Sequence, residues 1–334
     1  MKKIIFLLLC IPFIMFSSCN KPNEEKKDIA TEEPPKKIEE SYFSPYTGEK
    51  ITKDIYDKIP FMVIIENSKD ARPQSGLIQA DIVYETMAEG GIPRFMALYH
   101  KNDSEKIGPV RSARPYFLDI AIENNLPFAH CGYSEEAEIR IKKEQLPSLN
   151  EFTYGKAYWR DKSRKYEHSL YTSSSKLREL IKQNKFSFSS KFHFKFNSDY
   201  WKNATLSDCS STLLKLNKYY NTSYTYKDGL YYKYMSSNQC KNREDNAPIV
   251  VNNIIVQITD ITLKKDALQH INIRLTGEGT CYIISNGKFI KGKWYKKDLN
   301  SNTVFLDDQN KEVPLSQGKT WWNIIDKQAE IKIK

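Results

Sequence analysis

Between residues 61 and 134 the sequence repeatedly places polar side chains directly after short apolar runs. The runs 61–65, 82–84, 95–99 and 128–129 are β-favouring and bounded by polar residues, glycine or proline, so each predicts a buried strand. Ligands of open α/β sheets bind outside the carboxyl ends of the strands. The candidate site residues therefore follow the strands: Glu66, Asn67, Glu85, Glu89, Arg111, Arg114 and His130.

Two arginines, Arg111 and Arg114, precede a stretch whose apolar spacing predicts a helix over 116–124. A helix N-terminus offers free N–H groups and partial positive charge, and the arginine fork suits phosphate and carboxylate. We expect the pair to form an anion-recognition centre that Glu85 and Glu89 orient. The alternative is that one or both arginines form a buried structural ion pair with those glutamates.

Two histidines are candidates for proton transfer. His130 ends the fourth predicted strand, and His168 lies in 151–173, a segment dense in aromatic and basic residues that we expect to fold over the first site. Histidine titrates near neutral pH, so either imidazole could act as acid or base beside Glu85 or Glu89. A lone histidine is more often a structural hydrogen-bonding group, and that alternative stays open for both.

Strands and helices alternate up to about residue 186. Pro73 is expected to begin a short helix over 73–79, because its missing N–H costs nothing at the first helical position. Ser112 is the candidate N-cap of the helix over 116–124. Another helix, over 175–183, closes this region.

Ser134 also invites two interpretations. It follows Gly132 in a Gly-x-Ser pattern that is found in nucleophile elbows, but Glu136 replaces the second glycine of that motif. Ser134 with the acidic residues after it instead predicts the capped start of a helix that ends near Gln145.

Beyond residue 186 the composition shifts to tyrosine, lysine, asparagine, serine and threonine, and apolar residues alternate with polar ones. The pairs Asp228-Gly229 and Asn286-Gly287 are hairpin signals. The fold class predicted is α+β: an N-terminal α/β domain with a mixed sheet over 42–186, then a mostly antiparallel β domain over 187–334. Strands are predicted in the second domain at 192–196, 224–226, 230–234, 254–258, 271–275 and 281–284.

The first residues are typical of secretion. Two lysines, a short apolar run and small residues before Cys19 indicate a signal peptide over 1–18, of the kind in which the cysteine is lipidated. An ordinary cleaved signal with a chance cysteine is the alternative. Residues 19–41, rich in lysine, glutamate and proline, predict a disordered tether. We therefore expect an extracytoplasmic protein that is anchored to the cell membrane through Cys19.

The net charge and the cysteine pattern limit the kinds of partner, metal and cofactor that we expect the protein to bind. The formal charge of +10 falls to about +8 without Lys2 and Lys3, which favours an anionic neighbour such as a cell-envelope polymer. Secretion argues against nucleic acid. The later cysteines are widely spaced and lack metal-binding patterns, so we predict no metal and no cofactor. Free thiols are slightly favoured, although a Cys209–Cys240 bridge stays open.

Several motifs resemble a known family. The segments ENSKDARPQSGLIQADIVYE, EGGIPRF, IGPVRSARPYF and HCGYSEEA, and the later GTCYIISNGKFIKGKW and GKTWWNII, are similar to the YerB-like bacterial lipoproteins, whose N- and C-terminal domains are called DUF3048. The chain departs from the family at Glu135, where proline is usual, and at Ser169, where asparagine is usual. The resemblance implies a lipoprotein and brings no established reaction. The recurring segments contain Asn67, Arg72, Glu85, Glu89, Arg94, Arg111, Arg114, His130 and His168.

Three functions follow as hypotheses. The first is a tethered module that binds an anionic envelope ligand or partner protein through Asn67, Arg72, Arg94, Arg111 and Arg114. The second is an envelope hydrolase or transferase acting on a phosphate- or carboxylate-bearing substrate, with catalytic Glu85, Glu89, His130 and His168. The third is a structural docking protein whose polar groups pair among themselves. Geometry separates them, because catalysis needs a carboxylate or histidine within about 3.2 Å of the reacting atom.

Overall fold

The computed structural model describes residues 41–189, 194–266 and 269–334. Within these residues, no helix combines the length and the apolar content needed to cross a membrane. The helices are α1 (Lys53–Tyr56), α2 (Pro115–Asn124), α3 (Glu135–Lys143), α4 (Glu151–Tyr154) and α5 (Ser174–Asn184). The strands before residue 187 are β1 (Tyr42–Phe43), β2 (Lys50–Ile51), β3 (Phe61–Ile65), β4 (Ile82–Met87), β5 (Pro93–Tyr99), β6 (Phe128–His130), β7 (Ser148–Asn150), β8 (Trp159–Arg160) and β9 (Leu170–Tyr171).

The remaining strands belong to the second half of the chain. They are β10 (Ser207–Asp208), β11 (Ser211–Lys215), β12 (Asn221–Lys227), β13 (Leu230–Met235), β14 (Asn238–Gln239), β15 (Val250–Val251), β16 (Asn253–Thr259), β17 (Ile261–Leu263), β18 (Ile271–Ile273), β19 (Gly277–Ser285), β20 (Lys288–Lys296), β21 (Val304–Leu306), β22 (Thr320–Asp326) and β23 (Glu330–Ile333).

An eleven-stranded sheet runs through both halves of the chain, in the order β10-β20-β19-β16-β22-β4-β5-β3-β6-β7 with β21 on β20. Strand β22 pairs in parallel with β4, from Thr320 opposite Ile82 to Ile324 opposite Thr86. Neighbouring pairs are parallel or antiparallel, so the sheet is mixed. The predicted α+β class is confirmed.

This pairing joins the two predicted domains, over 42–186 and 187–334, in one sheet. Strands β16, β19, β20 and β22 come from residues 187–334, yet they extend the sheet that β3 to β7 begin. The chain from Ser41 to Lys334 accordingly forms one compact unit. The predicted boundary marks a change in strand pattern, which is a local property, whereas sheet pairing joins residues far apart in sequence.

A second, six-stranded sheet packs against one face of the first. Its order is β14-β13-β12-β11-β23 with β15 on β13, and all its pairs are antiparallel. Asp228 and Gly229 join β12 to β13 with φ of 52° and 80°, so this predicted hairpin is confirmed. Buried Tyr224 and Tyr231 of this sheet share an apolar core with Trp321 of the large sheet. The opposite face of the large sheet is covered by α2.

Two predictions that depend only on the sequence of a single element are confirmed. Strand β3 has the predicted bounds, and Ser134 caps α3 by accepting a hydrogen bond of 3.4 Å from Ala137 N. Helix α2 instead begins at Pro115 with Arg114 at its N-cap, so Ser112 is not the cap. Proline at the first helical position fixes that start.

The predicted helix over 73–79 is wrong. Two 3₁₀ turns, Lys69–Ala71 and Leu77–Gln79, replace it, and Pro73 lies between them. The flanking side chains of Arg72 and Gln74 bond back to residues 66–67, which holds the segment as a loop. The predicted strand 192–196 falls partly outside the described residues, and its described part forms one bridge, Phe196 to Leu315.

Candidate functional site

Glu66 is the centre of a polar cluster at the carboxyl end of β3. Its backbone N donates to Pro109 O (2.9 Å), which brings the 108–111 segment alongside. Its side chain is only 6% exposed. One carboxylate oxygen accepts from Ser68 Oγ (2.8 Å) and lies 3.4 Å from Arg111 Nη2, and the other lies 2.9 Å from His168 Nδ1. A single carboxylate therefore holds an arginine and a histidine side by side.

Arg111 is the open member of this cluster. Its backbone N donates to Ile64 O (2.9 Å), which fixes it beside β3, while its side chain is 36% exposed. Glu66 is its one acidic partner among the described residues, and the contact is longer than a normal hydrogen bond. The guanidinium of Arg111 is therefore partly open to solvent, and it keeps donors that a ligand could use.

His168 reaches Glu66 from a distant part of the sequence. It ends a short 3₁₀ turn, Tyr166–His168, so the segment over 151–173 does fold back onto β3 as expected. Within the described residues, Nε2 of His168 has no hydrogen-bond partner. A depression of about 400 Å³ borders the ring; its lining includes Ser68, Lys69, Ile92 and Tyr219. The Glu66 carboxylate thus fixes Nδ1 and leaves Nε2 for a ligand.

Arg114 and Arg94 lie against Glu89. Arg114 Nε is 2.9 Å from Glu89 Oε1 without the alignment of a hydrogen bond, and Arg94 Nη2 is 3.7 Å from Oε2. All three side chains are between 14% and 16% exposed. Burial lowers the pKa of Arg94, and the nearby charges of Arg114 and Arg111 lower it further. The expected Arg111–Arg114 centre is therefore divided: Arg114 belongs to a structural ion-pair cluster, whereas Arg111 stays open.

Glu85 does not orient either arginine, which corrects that expectation. It is 2% exposed, and its Oε2 accepts from Lys233 Nζ (2.7 Å) and from Trp321 Nε1 (2.7 Å). Lys233 is fully buried and also donates to Thr222 and Tyr224. The carboxylate of Glu85 faces the second sheet and is closed to a substrate.

His130 is also placed differently from its candidate role. It is fully buried; Nδ1 donates to Gly132 O (2.8 Å), and Nε2 accepts from Ser148 Oγ (2.6 Å). Burial lowers the pKa of His130 to about 4. With both nitrogens occupied, the neutral ring has the structural role that was the alternative interpretation.

Asn67 and Arg72 form a second polar group on the other side of the same loop. Arg72 donates through Nε to Asn67 Oδ1 (3.0 Å) and through Nη2 to Asn67 O (2.9 Å). Gln74 donates to the same Oδ1 (2.9 Å) and to Glu66 O (3.0 Å). Gln74, Ser68 and Lys233 had not been identified from the sequence. Only Lys233 carried a signal, because it shares the inward phase of Tyr231 and Met235 in an alternating strand.

The cysteines of the described residues are free thiols, Cys131, Cys209, Cys240 and Cys281. Burial raises the pKa of Cys131 to about 11 and that of Cys281 to about 12. Thiolate chemistry at neutral pH is therefore disfavoured at both positions.

Comparison with known proteins shows which family the chain belongs to. The N-terminal domain of a protein family of unknown function, DUF3048, matches residues 46–187, and the family's C-terminal domain matches residues 212–322. A protein of Bacillus subtilis (strain 168) named "Putative lipoprotein YerB" is 30% identical over 328 residues, which cover 95% of this chain and 93% of that protein. The crystal structure of the YerB protein from Bacillus subtilis superimposes with a TM-score of 0.77 at 28% identity, covering 87% of this chain and 99% of the other. The chain therefore belongs to the DUF3048 family of YerB-like lipoproteins, whose function is unknown.

Proposed function

We propose that this lipoprotein binds an anionic ligand of the cell envelope through Arg111, beside Glu66 and His168. The main support is the arrangement of Arg111: its guanidinium lies 3.4 Å from the buried carboxylate of Glu66, and 36% of its side chain is exposed. An arginine fork with free donors suits a carboxylate or phosphate group.

The local charge supports the same ligand class. Arg94, Arg111 and Arg114 face two carboxylates, Glu66 and Glu89, so the cluster keeps one positive charge in excess. Because Arg94 and Arg114 are largely buried, that excess is available to a ligand mainly through Arg111. Nε2 of His168 offers a second hydrogen-bonding group a short distance away.

The test compares Arg111→Lys with the unmutated chain in calorimetric titrations of phosphate-bearing wall-polymer fragments. Lysine keeps the charge and loses the fork, so affinity should fall by about 1 to 3 kcal/mol, the scale of a charge-assisted hydrogen bond. Arg274→Lys is the matched control, because Arg274 is 40% exposed and also has one carboxylate partner, Asp260 at 3.0 Å.

Thermal melts of the same proteins complete the experiment. If Arg111→Lys kept full affinity, or if the unmutated chain bound neither these fragments nor a carboxylate-bearing envelope polymer, the binding function would be wrong. A loss of stability of about 3 to 5 kcal/mol on Arg111→Ala would instead assign Arg111 to a structural ion pair with Glu66.

A second function, acid–base catalysis on a phosphate- or carboxylate-bearing substrate, is favoured by one contact. Glu66 Oε2 lies 2.9 Å from His168 Nδ1, which would orient Nε2 to accept a proton from an attacking water while Arg111 stabilises the charge that develops on the substrate. Glu66 here takes the part that we had expected of Glu85 or Glu89. His168→Gln and Glu66→Gln should each abolish hydrolysis of phosphoester substrates and should weaken binding less than Arg111→Lys does; unchanged turnover would exclude this mechanism.

The membrane attachment belongs to the same proposal. Cys19 and residues 1–41 lie largely outside the described residues, so support comes from the sequence and from the name of the Bacillus subtilis relative. We place a lipid anchor on Cys19, with the tether over 19–41 holding the folded unit on the extracytoplasmic side. Two acyl groups would be needed, because a single chain binds membranes only marginally.

A further inference from the structure

We propose a second anion-binding site, separate from Arg111, in the cavity between the loop over 69–74 and the chain over 235–246. The cavity has a volume of about 500 Å³, which is in the range of small-molecule sites. Its walls come from both family domains, since the loop belongs to the N-terminal match and the facing strands to the C-terminal match. Of the residues that line this cavity, only Lys69 also lines the depression beside His168.

The charge of the lining identifies the ligand class. Lys69, Arg72 and Lys241 line the cavity, and no aspartate or glutamate of the described residues does. Among the described residues, none of the three has a carboxylate within ion-pair distance, unlike Arg94, Arg111 and Arg114. Three cations around one cavity without an acidic partner favour an anion.

Arg72 is fixed in advance for such a ligand. Its Nε and Nη2 are held by Asn67, at 3.0 and 2.9 Å, and its guanidinium lies 5.7 Å from the centre of the Tyr220 ring. Nη1 has no protein partner among the described residues. Nδ2 of Asn67, the amide that holds Arg72, is buried and likewise lacks a described partner. Because the arginine is already ordered, a ligand would lose little affinity to its immobilisation.

The remaining lining indicates a small ligand with an apolar portion. Met235, which is 3% exposed, and Cys240 and Pro73 supply apolar surface beside the cations. Gln74 and Gln239 add amide groups. The site therefore fits a small molecule that joins a carboxylate or phosphate to a short aliphatic portion.

Two pairs of probes separate the anion sources. N-acetyl-dialanine is compared with its C-terminal amide, and glycerol 3-phosphate with glycerol, by calorimetry on the full chain. We expect one anionic probe to bind and its neutral partner not to bind. Arg72→Lys should weaken binding about 10- to 100-fold, as expected for loss of a charge-assisted hydrogen bond. Arg274→Lys, the matched control, should leave it unchanged.

Two further readouts keep the test independent of folding and of the first site. Lys241→Gln, a substitution at the cavity wall, should weaken binding even if an Arg72 variant folds poorly, whereas Arg111→Lys should not. The bound probe should also slow alkylation of Cys240 relative to Cys131, the other half-buried thiol. Equal binding of charged and neutral probes, or loss of binding on Arg111→Lys alone, would overturn this second site and leave the proposal for Arg111 to its own test.

Discussion

Lys233→Met should destabilise the whole described unit, because it leaves the buried carboxylate of Glu85 without its charged partner. Lys233 Nζ lies 2.7 Å from Glu85 Oε2, and the two side chains are 0% and 2% exposed. Breaking a buried pair by removing one partner costs about 3 to 5 kcal/mol. For a unit of this size that corresponds to a fall of roughly 6 to 20 °C in melting temperature, at about 2 to 4 °C per kcal/mol.

The loss should be recovered in part when the charge is removed from both sides. Glu85→Gln with Lys233→Met leaves no buried charge at this position, and the amide oxygen can still accept from Trp321 Nε1, now 2.7 Å from Oε2. The double variant should therefore be more stable than Lys233→Met alone. Urea unfolding followed by both tryptophan fluorescence and circular dichroism measures all three proteins.

The same experiment tests whether the two sheets unfold together as one unit. Lys233 lies on β13 of the small sheet and Glu85 on β4 of the large sheet, so both sheets should unfold in one transition. A Lys233→Met protein within about 1 kcal/mol of the unmutated chain would refute the role of the ion pair. Two separated transitions in the unmutated chain would refute the shared core.

The remaining predictions concern pH and the membrane. Burial lowers the pKa of His130 from 6.5 to about 4, so folding stability is lost as pH falls through that window, by about 3 kcal/mol at most, and His130→Gln should remove the loss. Burial raises the pKa of Asp81 from 3.8 to about 6, so acidification stabilises the fold there, and Asp81→Asn should remove that gain. Urea titrations at pH 7 and 4.5 should show opposite effects of the two variants; effects of equal sign would contradict the assignment. Cys19→Ala should move the protein from the membrane to the soluble fraction of cells, and protein that stayed on the membrane after signal cleavage would contradict the anchor.

Elements with local signals were predictable from the sequence. The run over 61–65 gave strand β3, and Asp228-Gly229 gave a hairpin, because apolar runs and positive-φ pairs act over a few residues. The parallel pairing of β22 with β4 had no such signal. It joins residues 238 positions apart, as the bond from Thr86 Oγ1 to Ile324 O shows, and no periodicity reports so distant a partner.

The sequence offered a list of candidate site residues, but it did not show which of them would contact one another. Glu66 and Arg111 were both on that list, and they meet because the residues after β3 lie beside those before α2. The partner of each carboxylate comes from a part of the sequence far away. Glu66 contacts His168 at a separation of 102 residues, and Glu85 contacts Lys233 at a separation of 148 residues. Burial determines which of these groups a ligand can reach. The sequence did not show that the side chain of His130 is buried.

The two proposed sites are joined by one short piece of backbone, and that connection explains why both need its loop conformation. Glu66, at the start of this piece, holds Arg111 and His168 through its side chain. Gln74, at its end, donates to Glu66 O (3.0 Å) and to Asn67 Oδ1 (2.9 Å), the atom that also accepts from Arg72. A regular helix in this position would turn these side chains away from the backbone groups that they bind. The irregular segment therefore lies between the two proposed anion-binding sites and contributes contacts to both.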